Sequence, residues 1–105
     1  MPERFKVCSR EDLKSGEVRR FEAGEVAIAL VRIGDDFYAI GDRCSHEDYS
    51  LSGGEVWEDD CEIECPRHGS VFDLRTGEPH SLPATKAVPT FEVSLEGDDV
   101  WVLVA

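Results

Sequence analysis

An all-β fold, a small antiparallel sandwich or barrel, is what this 105-residue chain predicts. Three observations carry it. Short runs rich in β-branched and aliphatic residues recur along the chain, and glycine-rich or Gly-Asp turns separate them. No stretch keeps a helical apolar period over three turns. There is no internal repeat, low-complexity tract or linker, so about eight to ten short strands fit one domain with one modest core.

The elements follow in order. Phe5 to Cys8 predicts a first short strand. Ser9 to Leu13 can make one helical turn, with Ser9 as N-cap and Asp12 three residues on. Ser15-Gly16 is a turn, and Glu17 to Ala23 alternates loosely up to Gly24. Glu25 to Ile33 (EVAIALVRI) is the clearest strand. Gly34-Asp35-Asp36 turns it into the return strand Phe37 to Ile40, and Gly41-Asp42-Arg43 follows. Glu55-Val56-Trp57 and Cys61 to Glu64 predict a second hairpin around the acidic turn Glu58-Asp59-Asp60. Val71 to Leu74 is a strand turned by Arg75-Thr76-Gly77-Glu78. Pro79, Pro83 and Pro89 make residues 79 to 89 an extended loop. Thr90 to Leu95 and Val100 to Val104 form the last hairpin across Gly97-Asp98-Asp99.

Composition excludes several classes. With 23 acidic and 11 basic residues, the formal charge is −12. Phosphate binding needs clustered Lys and Arg, so nucleic acid is not an expected partner. Such acidity suits solubility and transient docking against basic protein surfaces. No apolar run approaches the roughly 20 residues of a membrane span. The start, Met1 to Lys6, has no apolar core after its charges, so no secretory signal is expected and a cytoplasmic location follows.

Chemistry concentrates between residues 44 and 69. Cys44-Ser45-His46 is separated by an 18-residue spacer from Cys65-Pro66-Arg67-His68-Gly69. Each motif offers one thiolate and one imidazole, and two of the chain's three histidines lie here. One Cys and one His on each of two loops is what a [2Fe–2S] centre needs when two imidazoles replace two thiolates on one iron. A structural Cys₂His₂ zinc site is the main alternative and would make the chain a zinc-stabilised binding module. Zinc sites usually pair like ligands, whereas each motif here mixes them. Cys–His nucleophilic catalysis does not explain a duplicated Cys/His set. Four unrelated core residues are the remaining reading. Cys8 and Cys61, at apolar or strand-like positions, are expected as small buried side chains rather than disulfide partners.

These motifs, with Ser70, Phe72-Asp73 and the tail from Gly77-Glu78 through Leu82-Pro83-Ala84 to Val88-Pro89-Thr90-Phe91-Glu92-Val93, resemble the Rieske ferredoxins over nearly the whole chain. The resemblance implies a Rieske-type β domain over residues 1–105, with a small cluster-binding subdomain inserted in a larger antiparallel one and cluster-binding loops over about 41–73. It implies one [2Fe–2S] cluster per chain, with Cys44 and Cys65 on one iron and His46 and His68 on the other. Leu82-Pro83-Ala84 then matches the proline loop that covers the cluster. Respiratory Rieske proteins resemble this chain but carry an extra cysteine in each loop and a tyrosine where Phe72 stands. Here Arg67 occupies the second-loop position, no cysteine follows His46 closely, and Phe72 donates no hydrogen bond. Ser70 is retained as a donor toward a bridging sulfide. Fewer bonds to sulfur imply a potential at the low end of the Rieske range, on the order of −150 mV. The potential is expected to fall as pH rises into the alkaline range, through loss of protons from exposed histidine ligands.

The same resemblance implies a ferredoxin without catalytic residues that shuttles single electrons from a flavin reductase to a terminal oxygenase such as a ring-hydroxylating dioxygenase. The composition predicts a soluble protein, and a monomer is the default expectation for so small a carrier. A related reading makes it an accessory of iron–sulfur cluster assembly. No Gly-x-Gly-x-x-Gly motif is present for NAD or flavin. His80 is expected as a solvated loop residue, Trp57 and Trp101 as core or strand-face packing, and Glu58-Asp59-Asp60 as a solvated turn. Glu47, Asp48 and Tyr49, next to His46, are the candidates for docking.

Overall fold

The run Val26–Ile33 is apolar at nearly every position because both of its faces are buried. In the computed structural model, which describes residues 3–43, 50–66, 69–80 and 86–104, Ile28, Ala29, Leu30 and Val31 are all fully buried. Ile28 and Leu30 face a core with Cys8, Leu13, Val100 and Val102. Ala29 and Val31 face a second core with Leu51, Ile63, Cys65 and Phe72. A strand with one wet face alternates apolar and polar residues; a strand between two cores does not.

The described residues form nine strands: β1 (Glu3–Ser9), β2 (Val18–Ala23), β3 (Val26–Ile33), β4 (Asp36–Gly41), β5 (Glu55–Trp57), β6 (Glu62–Glu64), β7 (Val71–Asp73), β8 (Thr90–Glu96) and β9 (Asp99–Val104). Single 3₁₀ turns span Arg10–Asp12 and Leu51–Gly53. Six strands make one antiparallel sheet in the order β1-β9-β8-β4-β3-β2, and β5-β6-β7 make a second. β1 and β2 approach each other, so the larger sheet curls toward a barrel. The all-β class and the antiparallel arrangement are as the sequence predicts. No helix among the described residues is long and apolar enough to cross a membrane.

Three hairpins share one device. Gly24, Gly34 and Gly97 each open a two-residue turn with positive φ, at 66°, 61° and 59°. That conformation costs a glycine nothing and matches the twist of paired strands. Asp36 pairs with Ile33, so the β3–β4 turn is only Gly34-Asp35 and Asp36 belongs to the strand. At the first 3₁₀ turn the Asp12 carboxylate accepts the Ser9 N–H at 2.9 Å, the bond expected of that pair.

Two further expectations need correction. Cys61 does not begin β6. It sits in the preceding turn with φ 55° and is only half-buried, whereas Cys8 is buried on β1 as expected. Trp57 is 42% exposed. Val56 pairs with buried Ile63 and takes the inner face of β5, which turns its neighbour Trp57 outward. Trp101 does lie on a strand face, half-buried, with the Arg4 guanidinium 4.6 Å above its ring.

Candidate metal centre

β6 delivers the chain to Cys65, and β7 takes it away after Ser70. Cys65 and Ser70 are both fully buried. The Cys65 N–H donates to the Ser70 carbonyl at 2.7 Å, and the Gly69 N–H donates to the Cys65 carbonyl at 3.1 Å. Gly69 allows this closure with φ 71°. The second loop is therefore a tight hairpin tip with a buried thiol at its base. Cys65 is unbridged, as are Cys8 and Cys61.

The first loop leaves the end of β4 and is clamped at its base. Arg43 and Ser50 form an isolated antiparallel bridge. The Leu51 N–H donates to the Asp42 carbonyl at 2.6 Å. The Asp42 side chain is buried; its Oδ1 accepts the Ser52 N–H at 2.8 Å and its Oδ2 lies 3.3 Å from Arg20 Nε. A buried carboxylate is stable only with such partners. Asp42 fixes where residues 44–49 leave and re-enter the fold. Its place in the approach Gly41-Asp42-Arg43 is visible in the sequence; its partner Arg20, on another strand, is not.

The two loop bases share one core, since Leu51 from the first and Cys65 from the second pack with Ile63 and Phe72. The Leu51–Gly53 turn presses so closely on β6 that a Cβ on Gly54 would come within 1.8 Å of the Glu64 carbonyl oxygen. Cys44, His46 and His68 lie outside the described residues, as do Glu47, Asp48, Tyr49, Arg67 and the Leu82-Pro83-Ala84 stretch. Of the four sequence-predicted ligands, Cys65 is the one the structure places, in a site closed to water on its inner side. Cys65 stands where β6 ends, fixed by the β6–β7 pairing and by its backbone bonds to Ser70 and Gly69, a position that suits a ligand to iron or zinc.

His80 is exposed outside the strands, as expected, and it also has partners. Its Nδ1 meets the Glu62 carboxylate, its Nε2 lies 3.5 Å from Asp73 Oδ2, and its backbone N–H donates to the Val71 carbonyl at 2.7 Å. Glu62 and Asp73 are cross-strand partners on β6 and β7, on the face opposite Ile63 and Phe72. The hydrogen bond to Glu62 raises the imidazole pKa above its ordinary value, against partial desolvation, with the charges of Glu62, Asp73 and Glu78 acting in the same direction as the bond. Sequence reasoning missed this because the two carboxylates are brought together only by the β6–β7 register.

Known proteins place the chain. The profile of the Rieske [2Fe-2S] domain matches residues 3–92. The chain is 47% identical over 97 residues to the ferredoxin component of biphenyl 2,3-dioxygenase from Rhodococcus jostii, covering 92% of this chain and 89% of that protein. Its fold superposes with a TM-score of 0.93 on the ferredoxin of carbazole 1,9a-dioxygenase from Nocardioides aromaticivorans, at 35% identity, covering 94% of this chain and 95% of the other. A ferredoxin solved in complex with the reduced oxygenase of carbazole 1,9a-dioxygenase is 41% identical, with a TM-score of 0.87, and the match covers 94% of this chain and 91% of that one. The profile match, the close relatives and the shared β architecture leave one assignment, with the single [2Fe–2S] cluster it entails: this chain belongs to the Rieske [2Fe-2S] domain family.

Proposed function

We propose that this chain is a low-potential ferredoxin that carries single electrons from a flavin-dependent reductase to a terminal oxygenase of the ring-hydroxylating type. The observation that carries the reading is that fully buried Cys65, at the base of the second loop, packs in one core with Leu51 at the base of the first. In this reading Cys44 and Cys65 hold one iron, and His46 and His68 hold the other. A cluster of this kind supplies a one-electron couple. The chain's own residues do the rest. Cys65 offers a thiolate, Leu51, Ile63 and Phe72 exclude water behind it, and Asp42 with the Arg43–Ser50 bridge orients the first loop.

The oxygenase as acceptor is supported by the relatives in biphenyl and carbazole dioxygenases. In the same reading the chain turns over no substrate itself, forms a single domain over 1–105 with cluster-binding loops over about 41–73, and works as a monomer in the cytoplasm.

The test is metal content, visible absorption and EPR of the purified protein, oxidised and then dithionite-reduced. About two irons per chain, a rhombic signal of the Rieske kind and a potential on the order of −150 mV are expected. Cys65→Ser should lose the cluster. A colourless protein with one zinc would sink the electron-transfer reading, and a potential well above zero would overturn the low-potential assignment. Reduction by a flavin reductase and oxidation by a reconstituted oxygenase then test the two partners.

A further inference from the structure

We propose that His80 is a positioning residue: an imidazolium held between Glu62 and Asp73 that clips the chain after β7 onto the outer face of the small sheet, and a clip that opens when the ring gives up its proton. This rests on the reading of residues 41–73 as the cluster-holding loops, because the clipped face is the back of the hairpin that presents Cys65.

The argument begins with donors and acceptors. Both ring nitrogens face carboxylates on different strands, Nδ1 toward Glu62 of β6 and Nε2 toward Asp73 of β7. A neutral imidazole has one N–H, so one nitrogen would point a lone pair at a carboxylate. Only the imidazolium satisfies both. The backbone completes the clip. His80 N–H donates to the Val71 carbonyl at 2.7 Å, and Pro79 bridges Phe72. The chain after β7 therefore folds back across β7 before it enters residues 81–85. The same wrap explains why Asp73, on the outer face, is only 7% exposed.

Among the described residues, the charged groups around the ring are few. Glu62 faces it from β6, Asp73 from β7, and Glu78 from its own segment. Arg75 competes for Asp73, with Nε 3.5 Å from Oδ1 and Nη2 3.5 Å from Oδ2. Exposed Trp57 stands directly across from Glu62 on this outer face, and Glu55 and Glu64 share the face further along. Carboxylates dominate, so the proton is held more tightly than in a free histidine. The sign follows. The clip is fully made below the ordinary value of 6.5 and is lost as pH rises through the elevated native value.

The experiment is hydrogen exchange on the oxidised holoprotein from pH 6 to 9, read as protection factors so that intrinsic exchange rates cancel. It compares wild type with His80→Gln, which keeps one donor group but no charge. In wild type the His80 amide should lose about three- to fivefold protection across the series, the size expected of half-exposed ion pairs, while amides of β9 stay level. In His80→Gln its counterpart at position 80 should start low and stay flat. Equal protection at pH 6 and 9, or a variant as protected and as pH-dependent as wild type, would overturn the proposal. If the variant does not fold, the wild-type series decides alone, with β9 as its internal control. A protein without the iron cluster fails the functional reading but leaves the exchange comparison intact. A normal cluster with flat exchange fails the clip alone.

Discussion

Asp73 Oδ1 accepts the Arg75 N–H at 2.7 Å and the Thr76 N–H at 3.3 Å, and these bonds close the turn that follows β7. Burial pushes its carboxyl up. The N–H groups of Arg75 and Thr76 and the Arg75 guanidinium outweigh that and hold it below 3.8, its ordinary value. A depressed native pKa stabilises the fold above the ordinary value, and that contribution is lost as pH falls through the native one. Asp73→Ala should therefore cost about 2 kcal/mol at neutral pH, where it strands two N–H donors. The difference from wild type should shrink as pH drops below 3.8. Urea midpoints of both proteins at neutral and acid pH measure this; an equal loss at both would assign the effect to packing instead. Cys61 shows a different kind of dependence. Its left-handed φ of 55° places its thiol by Tyr38, whose phenol pKa is raised by the hydrogen bond to Cys61 and by burial. Tyr38 is not near in sequence, so pattern alone places Cys61 in the strand rather than in the turn before it. Cys65 was legible because its spacing to Cys44, His46 and His68 is a local signal. Asp42 and His80 were not, because their partners Arg20, Glu62 and Asp73 are defined only by tertiary contact.

At the scale of elements, two glycines show where backbones meet. A Cβ at Gly54 would fall 1.8 Å from the Glu64 carbonyl oxygen, and one at Gly77 would fall 2.1 Å from that of Val88, at φ 78°. These approaches bring the first loop's exit against β6 and the turn after β7 against the approach to β8. By contrast, a Cβ at Gly34 meets nothing within 4 Å, and only its φ of 61° resists substitution. Gly54→Ala should cost about 2–3 kcal/mol by overpacking. Gly34→Ala should cost about 1–2 kcal/mol by backbone strain alone. Chemical denaturation ranks the two, and iron content separates them further. Gly54→Ala should load less iron because it displaces β6 beneath Cys65, whereas Gly34→Ala should load normally. A Gly54→Ala protein with full stability and full iron would show that β6 can shift freely. The three hairpins of the larger sheet were legible because each of their turns carries its own glycine. The three-residue strands β5, β6 and β7 were legible as strands, but which face of β5 points inward was not. Three residues give too little alternation, and the pairing of Val56 with Ile63 decides it.

At the scale of the molecule, β3 and β4 form a wall shared by two cores. Ile28, Leu30, Phe37 and Ala39 look into the core closed by β1 and β9. Ala29, Val31 and Ile40 look toward the small sheet and the loop bases. The unbroken apolar run of β3 was the sequence's trace of this wall, yet one core was expected, because periodicity reports burial and not what lies on each side. A shared wall couples the halves. The small sheet has three strands of three residues each, too little for independent stability, and its inner face is buried against a core built from β3, β4, Val88 and the loop bases. The larger sheet in turn would expose Ala29, Val31 and Ile40 if the small one opened. Unfolding should then be a single cooperative event. Loss of the cluster's visible absorption and loss of far-UV strand signal should coincide in denaturant. Leu30→Ala in one core and Ile63→Ala in the other should each move that one transition, by roughly 2–5 kcal/mol. Two separated transitions, with Ile63→Ala lowering only the visible one, would mean that the small sheet opens on its own. The ligand loops would then be held by their clamps at Asp42 and His80 rather than by the common core.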